Sequence, residues 1–108
     1  MPIPKIMKCV EISKFGSPEN LKYTNQEVPN ISNKEVLIQV KASGVNRPDI
    51  LQRKGLYSPP KDASEIPGLE VAGRIVKVGD KVKNFKINQK ICALVHGGGY
   101  AEYCKAHE

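Results

Sequence analysis

Residues 35–57 read EVLIQVKASGVNRPDILQRKGLY, and the two halves of this stretch follow different periods. Over 35–42 the apolar residues alternate. Val36, Ile38 and Val40 fall on one face, with Gln39 and Lys41 on the other, which predicts a half-buried strand. Over 47–54, RPDILQRK, the alternation stops and a short helix is predicted. Pro48 suits a helix's first turn, Asp49 complements the positive end of the helix dipole, and Gly55 is a natural stop.

Outward from this stretch, alternation dominates. Residues 6–13, 21–28, 71–78, 90–95 and 99–105 are further strand candidates. Turn chemistry separates them: FGSPEN, PNISNKE, VGDKVKNF, KINQK and HGGG. The loop GLYSPPKDASEIP carries a proline pair that rules out regular structure there. Many short strands with one or two short helices predict a mainly β domain, a small and partly open barrel.

The 108 residues are one domain's worth. No apolar run approaches the roughly 18 residues of a membrane span, and the start MPIPKIMKCVEIS lacks a secretory h-region. Three scattered cysteines, Cys9, Cys92 and Cys104, do not make a disulfide framework, so a reducing, cytoplasmic setting is expected. The net charge of +6 raises the question of nucleic acid. The lysines fall singly, however, and the few aromatics offer no stacking platform, so a solvated lysine-rich surface is expected and no nucleic-acid partner.

Chemistry has few places to sit. Cys92, His96, Cys104 and His107 follow a C-x3-H-x7-C-x2-H order that only loosely suggests zinc and matches no common ribbon or finger spacing. Cys92 is expected to behave as a small hydrophobe inside its strand. The glycines of HGGGYAE stand before a strand-like segment, not between a strand and a helix, so a hairpin or bulge is expected and no dinucleotide loop. Asn46 precedes the helix and reads either as its cap or as an amide that binds a ligand. Tyr57 reads either as a ring packed on the barrel or as a phenol that stacks on a planar substrate. Glu70 lies in PGLEVAG, small and apolar surroundings in which a carboxylate needs a partner or a job.

Taken together, EVLIQVKASGVNRPDILQRKGLYSPP, PGLEVAGRIVKVGDKVKNF and ICALVHGGGYAEYC resemble the N-terminal part of medium-chain dehydrogenases/reductases. The nearest branch is the zinc-free quinone oxidoreductases, especially the group that includes the p53-inducible quinone oxidoreductase. The likeness runs from Met7 onward. It implies a GroES-like barrel over 6–108, preceded by a flexible leader over 1–5, and truncated before a cofactor-binding Rossmann domain.

The resemblance also implies roles for residues. In zinc-dependent relatives a cysteine ligand lies near the position of Asn46 and a histidine at that of Leu69. An amide and a leucine cannot hold zinc, so no metal is expected. Asn46 and Tyr57 would line the cleft for nicotinamide and substrate, with Asn46 touching the cofactor. Leu69 and Glu70 would form its wall, Glu70 pairing with a basic or amide group, Arg47 and Arg74 among the choices. For the intact protein the resemblance implies NADPH-dependent reduction of quinones, with the 108-residue chain inactive alone. Apolar surface exposed where the further domain would dock would favour self-association into a homo-oligomer. The rival expectation is a stand-alone GroES-like binding or assembly module, which ring assembly would favour. Where the family usually has a Gly-Asp turn, this chain has Asn88-Gln89, and Asn tolerates the positive φ such a turn needs.

Overall fold

The computed structural model describes residues 3–61 and 63–108. Strands β1 (Ile6–Ile12) and β2 (Leu21–Glu27) form an antiparallel hairpin. Its connection holds a single 3-10 turn, Pro18–Asn20, where FGSPEN signals a turn. Strands β3 (Glu35–Ser43), β4 (Glu70–Val78), β5 (Lys90–Leu94) and β6 (Tyr103–His107) form a second sheet in the order β5-β4-β3-β6, with every pair antiparallel. The sheets meet at one isolated bridge, Cys9 with Ala101, reinforced by Val10 N–H to the Tyr100 carbonyl (2.8 Å) and Glu102 N–H to that of Lys8 (3.0 Å). The architecture is the expected one: mainly β, open and not closed, with one α-helix and one 3-10 turn.

Helix α1 (Arg47–Lys54) has the predicted limits. Gly55 ends it with φ +83°, a left-handed conformation that any Cβ would strain, and its N–H returns to the last turn of the helix. Asn88 takes φ +76°, so the substituted turn in KINQK keeps its geometry.

Two clusters of apolar side chains lie on opposite sides of β3. Val36, Ile38, Val71 and Ile75 form one, joined by Val40, Phe85 and Ile91. Met7, Cys9, Leu37, Ile66 and Tyr103 form the other. Leu37 is therefore buried, although alternation places it on the polar face with Gln39 and Lys41. The hairpin β1–β2 and residue Ile66 cover that face, and alternation within one strand cannot register a layer brought by distant segments.

Two further expectations are corrected. The sixth strand begins at Tyr103, not at 99, because residues 98–100 are engaged elsewhere. The N–H groups of Gly98, Gly99 and Tyr100 bond the carbonyls of Ile66, Gly68 and Pro67 at 2.7, 3.0 and 2.9 Å. Cys92 is exposed on β5, not a buried hydrophobe; Cys9 and Cys104 are the buried cysteines. Of the leader over 1–5, residues 1 and 2 lie outside the described residues. Ile3 packs against the second cluster, and the Lys5 carbonyl accepts from Val28 N–H at 2.9 Å.

Candidate functional site

At one end of the β3–β4 pair, where Ser43 faces Val71, the chain leaves the sheet through Gly44 and enters α1 at Asn46. Gly44 N–H donates to the Glu70 carbonyl at 3.0 Å. A Cβ on Gly44 would overlap the Glu70 carboxylate, so glycine is what lets that side chain lie across the strand end. Glu70 Oε1 accepts from Asn46 Nδ2 at 3.2 Å. Of the partners expected for Glu70, the structure selects the amide. No ion pair to Arg47 or Arg74 forms among the described residues.

This bond sets the orientation of the amide. An ionised carboxylate only accepts, so Nδ2 must face Glu70. Asn46 keeps its second Nδ2 proton and its Oδ1 for other partners. Asn46 is also the N-cap, in extended conformation, the first of the two roles open to it in the sequence. A capping box joins it to Asp49, whose Oδ2 accepts the Asn46 backbone N–H at 2.9 Å.

Asp49 is only 5 % exposed. Its Oδ2 also accepts the Tyr100 hydroxyl at 2.8 Å, and that hydroxyl lies 3.4 Å from the Gly44 carbonyl. Burial, then the hydrogen bond and charge of Asp49, push the Tyr100 phenol well above its ordinary range, so it stays a donor. Ser43 Oγ donates to the Gly99 carbonyl at 2.5 Å, which ties the glycine loop to the same end of β3.

Leu69 is half-buried and its carbonyl accepts Val95 N–H at 2.8 Å. Tyr57 is half-buried in the loop after α1, and no hydrogen bond links it to Asn46 or Glu70. The structure thus brings Asn46 and Glu70 together and leaves Tyr57 apart from that bond. It adds three residues without an assigned site role in the sequence reading: Gly44, Asp49 and Tyr100. The spacing Asn46-x-x-Asp49 is a capping-box signal that could have linked two of them. Nothing local announces Tyr100.

Exposed apolar side chains neighbour the predicted site residues. Val45 (75 % exposed) precedes Asn46, Leu56 (71 %) precedes Tyr57, and Leu94 (84 %) is the cross-strand partner of Glu70. Among the described residues, two concave spaces are not lined by Asn46, Tyr57 or Glu70, though Leu94 borders the first. The first, of about 230 Å³, borders Met7, His96 and His107; the other, of about 430 Å³, borders Ile3 and Val28.

The donor set does not fit zinc: one carboxylate, one carboxamide and Leu69 are not the sulfur and nitrogen ligands zinc favours. Cys92 and Cys104 do not form a centre with His96 and His107. Among the described residues, no group of three His, Cys, Asp or Glu could hold a metal ion. Nor does the glycine loop fit a dinucleotide's pyrophosphate, since Gly98 and Gly99 spend their N–H groups on Ile66 and Gly68. Among the described residues, no helix is long and apolar enough to cross a membrane.

Comparison with known proteins adds the context. Residues 32–108 match the family model of the alcohol dehydrogenase GroES-like domain. Over 104 residues the chain is 40 % identical to a quinone oxidoreductase of Lama guanicoe, covering 94 % of this chain and 32 % of the relative. It is 36 % identical over 110 residues to a chloroplastic quinone-oxidoreductase of Triphysaria versicolor, covering 96 % and 33 %. Among solved structures, the quinone oxidoreductase of Coxiella burnetii superposes with a TM-score of 0.86 at 28 % identity, covering 95 % of this chain and 35 % of that one. The chain spans about a third of the length of the relatives it matches.

Proposed function

Because the chain belongs to the alcohol dehydrogenase GroES-like domain family, we propose that it is the substrate domain of an NADPH-dependent quinone oxidoreductase that works without zinc. The observation that carries this reading is the Asn46 amide, clamped on Glu70 at an open strand end, with exposed Val45 and Leu94 beside the pair. A polar anchor beside apolar side chains suits a planar ligand with carbonyl oxygens.

When bound, reduced nicotinamide would supply a hydride. The residues of this chain bind and orient. The free Nδ2 proton of Asn46 donates to a quinone oxygen and stabilises the negative charge that builds there on reduction. Glu70 holds that donor in place and Leu69 completes the wall. Tyr57 stacks on the ring plane. A quinone is already electrophilic, so an amide's weak polarisation suffices where an alcohol or ketone needs a metal. The pyrophosphate of the cofactor would be held outside these 108 residues, and the 108-residue chain alone oxidises no NADPH. A cytoplasmic setting, a quinone as the small-molecule partner and self-association through the exposed apolar side chains belong to the same reading.

The test is an assay of the protein as its organism makes it. NADPH oxidation with 1,4-benzoquinone, unaffected by a strong chelator, is expected. Alcohol-dependent reduction of NADP⁺ that the chelator abolishes would overturn the reading.

A further inference from the structure

Asn46 is held from two sides, and only one of them involves Glu70. On the other, Asp49 Oδ2 collects two donors, the Asn46 backbone N–H (2.9 Å) and the Tyr100 hydroxyl (2.8 Å). Asp49 itself is buried, and its Oδ1 has no partner among the described residues. Tyr100 is fixed in turn, because its N–H bonds the Pro67 carbonyl (2.9 Å) two residues before Leu69. A closed circuit results: Asn46 to Glu70 through side chains, Glu70 along the backbone to Pro67, Pro67 to Tyr100, Tyr100 to Asp49, and Asp49 back to Asn46.

A helix cap alone does not call for this. An N3 carboxylate performs that role at the surface, in water, whereas burying it with one oxygen unmatched is costly. The Tyr100 hydroxyl is also superfluous to a cap. What the two groups accomplish together is to tie the first turn of α1 to the loop that carries Glu70. The backbone of Asn46 and the partner of its side chain then move as one body.

We propose that Asp49 and Tyr100 are a positioning pair that fixes the Asn46 amide against Glu70, Asp49 acting as a shared acceptor and not as a proton donor or acceptor in the chemistry. This inference rests on the quinone-reductase reading for its kinetic consequence and on the circuit alone for its structural one. In the chemistry it assigns, an acceptor oxygen matters and the negative charge does not. Asp49→Asn keeps one oxygen able to accept both bonds, whereas Asp49→Ala keeps none.

The experiment has two arms. In the first, kcat and KM for 1,4-benzoquinone are measured on the protein as its organism makes it, for Asp49→Ala, Asp49→Asn and Tyr100→Phe. Misplacing the amide should lower kcat about ten- to a hundredfold in Asp49→Ala, with smaller losses in Tyr100→Phe and KM little changed. Asp49→Asn should recover most of the loss. Equal losses in Asp49→Asn and Asp49→Ala would overturn the proposal in favour of a charge or proton role, and unchanged kcat in Asp49→Ala would overturn it outright. The second arm needs no activity. In the 108-residue chain, the Asn46 side-chain amide is followed by NMR in Tyr100→Phe, the mildest variant. Faster proton exchange or a merged pair of resonances is expected, and an unmoved signal would overturn the proposal. A wild type without quinone activity would sink the function proposed above, while this second arm would still decide the circuit.

Discussion

The strands β3 and β4 end differently at their two extremities. Where Val36 faces Val78, apolar side chains close the sheet, with Val82 and Phe85 packed beneath. The turn there satisfies its backbone against the start of β3, Gly79 N–H reaching the Glu35 carbonyl and Lys81 N–H that of Asn33, both at 2.9 Å. Its half-buried carboxylate, Glu35, has a partner, lying 3.8 Å from the Lys105 amine. Where Ser43 faces Val71, the order is reversed. Asn46, Asp49, Glu70 and Tyr100 converge, a buried carboxylate oxygen goes unmatched, and apolar Val45 and Leu94 face outward. Burying a carboxylate with one oxygen unmatched is costly, and stability alone does not call for it. The contrast is the one expected if the proposed quinone site lies at this end.

If the contrast is real, changes in the shared core should cost the most stability. Ile75 is fully buried, and Ile75→Ala is expected to cost about 2–5 kcal/mol in urea unfolding. A loss under one would mean that the core can collapse around the gap. Next comes Gly68, with φ +106° and backbone atoms of Gly99 and Tyr100 only 2.7–2.8 Å from where a Cβ would lie. Gly68→Ala should cost about 1–3 kcal/mol and pull Tyr100 off Asp49. An unchanged melting temperature would show that the two loops are not locked.

At the end of the proposed site, Glu70 is exposed, so Glu70→Ala should change stability by less than about 0.5 kcal/mol while lowering quinone turnover. Glu70→Gln, which keeps an acceptor oxygen, should lose less. A large stability loss in either would place Glu70 with the structural end. A comparably small effect, set by pH, belongs to Glu35. Burial pushes its carboxyl up, but hydrogen bonds from Ser32 and the charges of Lys105 and His107 outweigh this and hold it below the ordinary glutamate value. A depressed carboxyl stabilises above its ordinary value, and that contribution is lost as pH falls through the native one. Glu35→Gln should therefore cost about 0.5 kcal/mol at neutral pH and nothing in acid. A penalty that persists at low pH would overturn this assignment.

The cysteines separate by surroundings in the same way. Burial raises the Cys104 thiol to about 11, whereas Cys92 lies exposed on β5. A thiol reagent should label Cys92 rapidly and Cys9 and Cys104 only on unfolding. Three equally fast thiols would show the core to be open.

Much of this was legible in the residues. The limits of α1 were, because Pro48, Asp49 and Gly55 act through bonds within a few positions. So were the strands, whose alternation is a local record of one buried face. Leu37 was not, since its cover comes from β1 and Ile66. The start of β6 was not, since Gly98 to Tyr100 bond a loop some thirty residues away. In the site, Asn46 and Glu70 stood out as a lone amide and a lone carboxylate in apolar surroundings, but not as each other's partner. Asp49 was read for its helix dipole alone.

The sequence by itself determined the periods, the turns and the helix, and it singled out Asn46 and Glu70, though not the buried Asp49. These depend on neighbours along the chain and on the cost of burying charge. Only the tertiary structure decided that Glu70 takes the amide of Asn46 over Arg47 or Arg74, and that Tyr100 closes on Asp49. Such pairings join residues 24 and 51 positions apart. They exist only once β3, β4 and the glycine loop have packed, because a hydrogen bond requires a distance that no pattern along the chain can specify.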